Sequence, residues 1–116
     1  MKSNNLQKML NAVVLISKER GWEKFHAPKN VAMDLVRESS EALEHFIWDS
    51  NEEILKDKKR IEKIRMEMAD VLHSLLILSY ILKIDLSESF WEKLEEVKKR
   101  YPVSKVYGKS GYTNKF

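Results

Sequence analysis

Leu6, Met9, Leu10, Val13, Val14 and Ser17 recur at three- and four-residue intervals, which predicts a first helix over about residues 4–20. Gly21 stands where a C-terminal cap belongs. The stretch "WEKFHAPKN" is too short and irregular for a further element, and its Pro28 marks the start of a second helix. That helix is expected to run to about Asp49, with Val31, Leu35, Ala42, Phe46 and Ile47 turned inward. "SNEE" at residues 50–53 has the S-x-x-E form of a capping box and opens a third helical region. From there to Ile84 the pattern fits one long helix, or a short one followed by a long one. "DLSE" at residues 85–88 supplies Asp85 as the N-cap of a last helix to about Arg100, and a non-helical tail follows.

Helical periods with short connections imply an all-α, four-helix bundle-like fold in a single domain spanning residues 1–116. Composition agrees: 3 Gly and 2 Pro beside 34% charged residues leave little material for a turn-rich β fold. Without cysteine there is neither a disulfide nor a thiolate metal site, and the expected compartment is the cytoplasm. The opening "MKSNNLQKML" lacks the apolar core of a secretory leader. The one strongly apolar run, Met68 to Ile84, is interrupted by Asp70, His73 and Lys83 and is shorter than a membrane span of roughly 20 residues. It therefore reads as a helix buried on all sides, with no membrane partner. The formal charge is +3, and the excess sits in residues 98–116, where Lys98, Lys99, Arg100, Lys105, Lys109 and Lys115 meet no acid. A solvated terminus explains such a tail; an anionic small ligand or a polyanion are the alternatives.

The acids change the picture. Glu38, Glu41 and Glu44 repeat every three residues on the second helix, and Glu38 shares its face with Leu35, Ala42 and Phe46. On the third, Glu67, Asp70, His73, Ser74 and Ile77 form a polar stripe along an otherwise apolar rod. Two helices that each direct an E-x-x-[ED] pair inward bring four carboxylates together, and such a group repels itself unless a cation sits among them. Hard oxygen ligands suit Mg²⁺, with Mn²⁺ as a substitute. A dinuclear iron or manganese carboxylate bundle is the chemical competitor. It calls for Glu-x-x-His on two helices, and only Asp70-x-x-His73 approaches that form, His45 being four residues after Glu41.

"ERGWEKFHAPKNVAMDLVRESSEALEHFIW", followed by "RMEMADVLHSLLILSYILKIDL", resembles the MazG-like nucleoside triphosphate pyrophosphohydrolases, and most closely their short single-domain members that include dCTP pyrophosphatases. The family pattern of E-E-x-x-E and a later E-x-x-D falls on Arg37-Glu38-Ser39-Ser40-Glu41 and Glu67-Met68-Ala69-Asp70. The resemblance implies that Glu38, Glu41, Glu67 and Asp70 hold Mg²⁺. It implies cleavage of a nucleoside triphosphate between the α- and β-phosphates, giving a monophosphate and pyrophosphate in nucleotide-pool housecleaning. Glu41, then Glu44, are the candidates to accept the proton of the attacking water. The loop "WEKFHAPKN" resembles the family's nucleotide-closing loop, and that resemblance implies His26, Lys29 and Asn30 at sugar or phosphates and Trp22 or Trp48 beside the base. Packing tryptophans, a helix-capping Asn30 and an ordinary surface Lys29 are the plain alternatives.

The tail "YPVSKVYGKSGYT" resembles the family ending, with Lys105 at phosphates, though Val106 and Tyr107 stand where Ser and Arg are frequent. Arg37 replaces the first glutamate of the double-Glu pattern, and His73 with Ser74 stand where an aromatic lines the pocket in relatives. These departures imply a roomier, more polar pocket. They also motivate a second reading, a non-catalytic helical module that binds a nucleotide or a protein. Relatives form dimers or tetramers of dimers, so a homo-oligomer is expected; binding to nucleic acid rests on the tail alone.

Overall fold

The structure is a computed structural model that describes residues 5–109, which fall into two compact units parting between Ile84 and Asp85. The four expected long helices are present with two short ones, one between the second and third and one after the last: α1 (Asn5–Glu19), α2 (Pro28–Glu44), α3 (Asn51–Lys56), α4 (Lys58–Leu82), α5 (Leu86–Arg100) and α6 (Val103–Val106). No strand occurs among the described residues, and none of their helices is long and apolar enough to cross a membrane.

In the first unit α1, α2 and α3 all pack on α4. The buried apolar side chains are Val31 of α2, Ile54 of α3 and Ile64, Leu76 and Ile77 of α4. Each boundary has a local cause. Gly21 adopts φ 64°, its N–H donates to the Lys18 carbonyl at 3.2 Å, and the Trp22 N–H donates to the Ser17 carbonyl at 3.0 Å. This is the paired closure that a left-handed residue permits after a helix. A 3₁₀ turn, Glu23–Phe25, leads to Ala27, the extended N-cap of α2, with Pro28 in the first turn. Asn30 therefore lies inside α2 and does not cap it.

α2 stops at Glu44, about five residues before the expected end. Its last bonds tighten, His45 N–H donating to Ala42 and Phe46 N–H to Leu43. Beyond them Ser50 must be extended (φ −69°, ψ 158°) to cap α3, and a helix running through Asp49 is incompatible with that. The Ser50–Glu53 capping box is complete in both directions, and Asp49 is held by Arg60 of α4. With α2 cut short, Phe46 and Ile47 are not inward: they are 45% and 51% exposed.

Asp57 separates α3 from α4, so the third region is a short helix followed by a long one. Its backbone is extended (φ −86°, ψ 92°) and its carboxylate accepts the Arg60 N–H at 3.0 Å. Nor is α4 buried on every side, since Met68 is 62% exposed and Leu82 is exposed too. In the second unit, Asp85 caps α5 by accepting the Glu88 N–H at 3.1 Å. The tail is not wholly irregular: Val103–Val106 forms one helical turn entered from Pro102. Its "GYT" lies outside the described residues.

Candidate metal centre

Glu38 comes from α2, and Glu67 and Asp70 come from α4, the two helices that pack along one another. One carboxylate oxygen of each lies within 4.8 Å of the others. Along α4 the same stripe continues through Ser74, Ile77 and Ile81 at alternating three- and four-residue steps. The sequence pattern thus brought together three of its four acids.

Charge makes the cluster costly as it stands. The Glu38 side chain is only 16% exposed, and its Oε2 is buried without a hydrogen-bond partner. Burial, most of all, raises the Glu38 carboxyl above its usual range; the neighbouring Glu41 carboxyl and the Asp70 charge push the same way, against Arg37. Asp70 is exposed and has no ion-pair partner among the described residues. A hard divalent cation resolves these conditions together. Mg²⁺ binds oxygen at about 2.0–2.1 Å, so opposite ligands around it stand about 4.2 Å apart, inside the 4.8 Å limit within which these three oxygens lie. The orphaned Glu38 oxygen and the all-carboxylate donor set fit such an ion.

The other expected site residues are distributed differently. Glu41 stands beside Glu38 but outside the three-acid group, and its Oε1 faces the Arg37 guanidinium at 3.7 Å. Glu44 is exposed at the last residue of α2. His73 is exposed, and Ser74 is half-buried on the acid stripe. His26 is half-buried and lines a cavity of about 90 Å³ with Ser17, Glu23, Ile77 and Tyr80, where the Ser17 hydroxyl is buried and unpartnered. Ile77 lies seven residues beyond Asp70, roughly 10 Å along α4, so this cavity follows the acids on one face. Lys29 and Asn30 are exposed in the first turn of α2. Trp22 is 44% exposed with Arg20 over its ring at 5.7 Å, and Trp48, at 87% exposed, packs on little of the chain. Lys105 is exposed on α6, in the second unit.

Pattern reading undervalued His45. Its Nε2 lies 3.8 Å from Glu67 Oε1, which places an imidazole at the edge of the acids. The signal was its spacing, four residues beyond Glu41 at the C-cap of α2.

Residues 36–114, which include every acid of the cluster, match the MazG-like family. The chain belongs to that family. Among curated MazG-like relatives, dCTP pyrophosphatase 1 of Rattus norvegicus is 36% identical over 89 residues, 73% of this chain and 52% of the relative. The protein of the same name from Homo sapiens is 32% identical over 88 residues, with the same shares covered. The chain thus spans about half the length of the curated relatives it matches. A crystal structure of a pyrophosphatase from Archaeoglobus fulgidus superposes with a TM-score of 0.78 at 32% identity, over 88% of this chain and 96% of that one. The all-helical MazG-like fold therefore holds for most of the chain.

Proposed function

We propose that this chain is a Mg²⁺-dependent nucleoside triphosphate pyrophosphohydrolase that converts a (d)NTP to the monophosphate and pyrophosphate. The observation that carries the reading is the convergence of Glu38, Glu67 and Asp70, with the orphaned Glu38 oxygen among them, in a MazG-like chain. The names of its relatives point the same way.

When bound, the divalent ion offsets charge on the phosphate oxygens and favours attack by water. The remaining work is positioning, as in other phosphoryl transfers. The bond between the α- and β-phosphates takes up one water; the water's proton goes to a carboxylate and pyrophosphate leaves. Glu41 is the proton acceptor, because it adjoins the acids without being one of the three that converge. Glu44, exposed at the helix end, is the second choice. The nucleotide lies along the α4 stripe, its phosphates at the acids and its base toward Ser74 and the cavity that His26 lines. His73, Lys29 and Asn30 supply polar contacts from the rim, and exposed Trp22, next to the 3₁₀ turn that leads to His26, stacks on the base.

The apolar residues left exposed on α2 and α4, Met33, Val36, Leu43 and Met68 among them, are covered by a second copy in a homodimer or a tetramer of dimers. The cellular task is nucleotide-pool housecleaning in the cytoplasm. A panel of natural and modified triphosphates with Mg²⁺ or Mn²⁺, read for monophosphate plus pyrophosphate, tests the activity. Turnover of at least one is expected. Binding without turnover would favour a non-catalytic nucleotide-binding module, and neither binding nor turnover would sink both readings.

A further inference from the structure

Arg37 is the one residue of the acidic stretch with a charge opposite to its surroundings. Its guanidinium reaches three carboxylates at once: Asp34 Oδ1 at 3.4 Å, Glu38 Oε1 at 3.5 Å and Glu41 Oε1 at 3.7 Å. It touches Glu41, which lies outside the converging oxygens of Glu38, Glu67 and Asp70, and reaches that group only through Glu38. Four carboxylates, Glu38, Glu41, Glu67 and Asp70, carry a formal charge that two divalent ions would balance. With an arginine already among these four, one divalent ion leaves the group one charge negative and a second leaves it one charge positive, so the second ion no longer reduces the net charge. Lysine would be a freer point charge, but arginine is always protonated, and its planar fork spans neighbouring carboxylates.

We propose that Arg37 is the resident cation of this site: it occupies the Glu41 side with a fixed positive charge, so that the chain takes one divalent ion, on Glu38, Glu67 and Asp70, where the acids alone would take two. This rests on the metal-dependent reading above. Arg37 thereby acts as a positioning residue, keeping Glu41 off the ion and open to accept a proton.

The contacts of Arg37 are long, and its side chain is 60% exposed. The pairs with Asp34 and Glu41 are weak surface pairs and the one with the mostly buried Glu38 is long, so replacing Arg37 leaves the helices standing. The test is Mn²⁺ titration of the full chain, followed by electron paramagnetic resonance of free Mn²⁺, with circular dichroism to verify helicity. Wild type is expected to bind one Mn²⁺ per chain. Arg37→Gln is expected to bind two, the first about ten-fold more tightly. Arg37→Lys keeps the charge and binds one, and Arg37→Gln with Glu41→Gln returns to one. Two ions on wild type, or a single ion on Arg37→Gln, overturns the role of Arg37 while leaving the metal reading intact. No Mn²⁺ on wild type overturns both.

Discussion

Glu38 and Asp70 respond differently to neutralisation because one is mostly buried and the other is exposed. Asp70→Asn removes a ligand from a solvent-facing position, so the helical fold is expected to survive while pyrophosphate release falls by about 10²–10³-fold, read by a coupled phosphate assay. Glu38→Gln removes a buried charge whose Oε2 has no partner. In EDTA at neutral pH this variant is expected to be the more stable protein, by about 1 kcal/mol, because a neutral amide costs less to bury. Adding Mg²⁺ should raise the melting temperature of wild type and leave that of Glu38→Gln nearly unmoved, which calorimetry reads directly. An equal Mg²⁺ shift in both proteins would remove Glu38 from the site. The acids were legible in the sequence because helical spacing fixes which residues share a face, and three of the four expected carboxylates do meet. Side-chain partnerships between helices were not legible. Spacing allows the Arg37–Glu41 pair, one turn apart at 3.7 Å, but does not say that His45 approaches Glu67 of α4 at 3.8 Å.

Two helices of the first unit end by the same device with different residues. After α1, Gly21 is left-handed at φ 64°; after α4, Lys83 is left-handed at φ 56°, with its N–H donating to Tyr80 and that of Ile84 to Ser79. Glycine carries no Cβ penalty in this region and lysine does. Lys83→Gly is therefore expected to stabilise the protein by about 0.5–1 kcal/mol, and Gly21→Ala to destabilise it by about 1 kcal/mol, both measured by urea unfolding. Nothing lies within 4 Å of a Cβ built on Gly21, so its effect is purely backbone. In the second unit, α5 offers a pH test. Lys93 at 3.0 Å and Arg100 at 2.7 Å both donate to Glu96, and Lys93 first of all holds the Glu96 carboxyl below its ordinary value of 4.5. A carboxyl depressed in the folded state stabilises above the unfolded value and loses that contribution as pH falls through the folded one. Glu96→Gln should accordingly flatten the acid limb of stability below pH 4.5, and added salt should shrink the difference. At this scale the sequence was most readable where a side chain caps a helix, as Ser50 and Asp85 do, whereas the cap at Asp57 was not read and the break there was left open. It was least readable at the end of α2, where the apolar run through Phe46 and Ile47 continues the helical pattern, but the cap at Ser50 forces the chain out of it.

Over the whole chain, burial falls short of what the hydrophobic pattern demands. The apolar run of α4 predicts a rod covered on every side, yet Met68, Val71, Leu75, Leu78 and Leu82 form a stripe in which no residue is buried. Those five recur at three- and four-residue steps, the spacing of a seam between packed helices, and the stripe lies on a different side of α4 from the acids. A run this apolar is consistent only if something removes the stripe from water, and a second copy brings a self-complementary surface of the same kind. Val71, Leu75 and Leu78 are already half-buried, so what a partner adds comes mainly from the exposed Met68 and Leu82, with roughly 1 kcal/mol or less from each half-buried residue. Light scattering of wild type is therefore expected to give a mass of at least two chains, with a melting temperature that rises with protein concentration. Leu75→Arg places a charge in the middle of the stripe without touching the acids. It should reduce the mass toward one chain, lower the melting temperature and abolish its dependence on concentration. An unchanged mass for Leu75→Arg would move the interface to another face, such as the one bearing Met33, Val36 and Leu43 on α2.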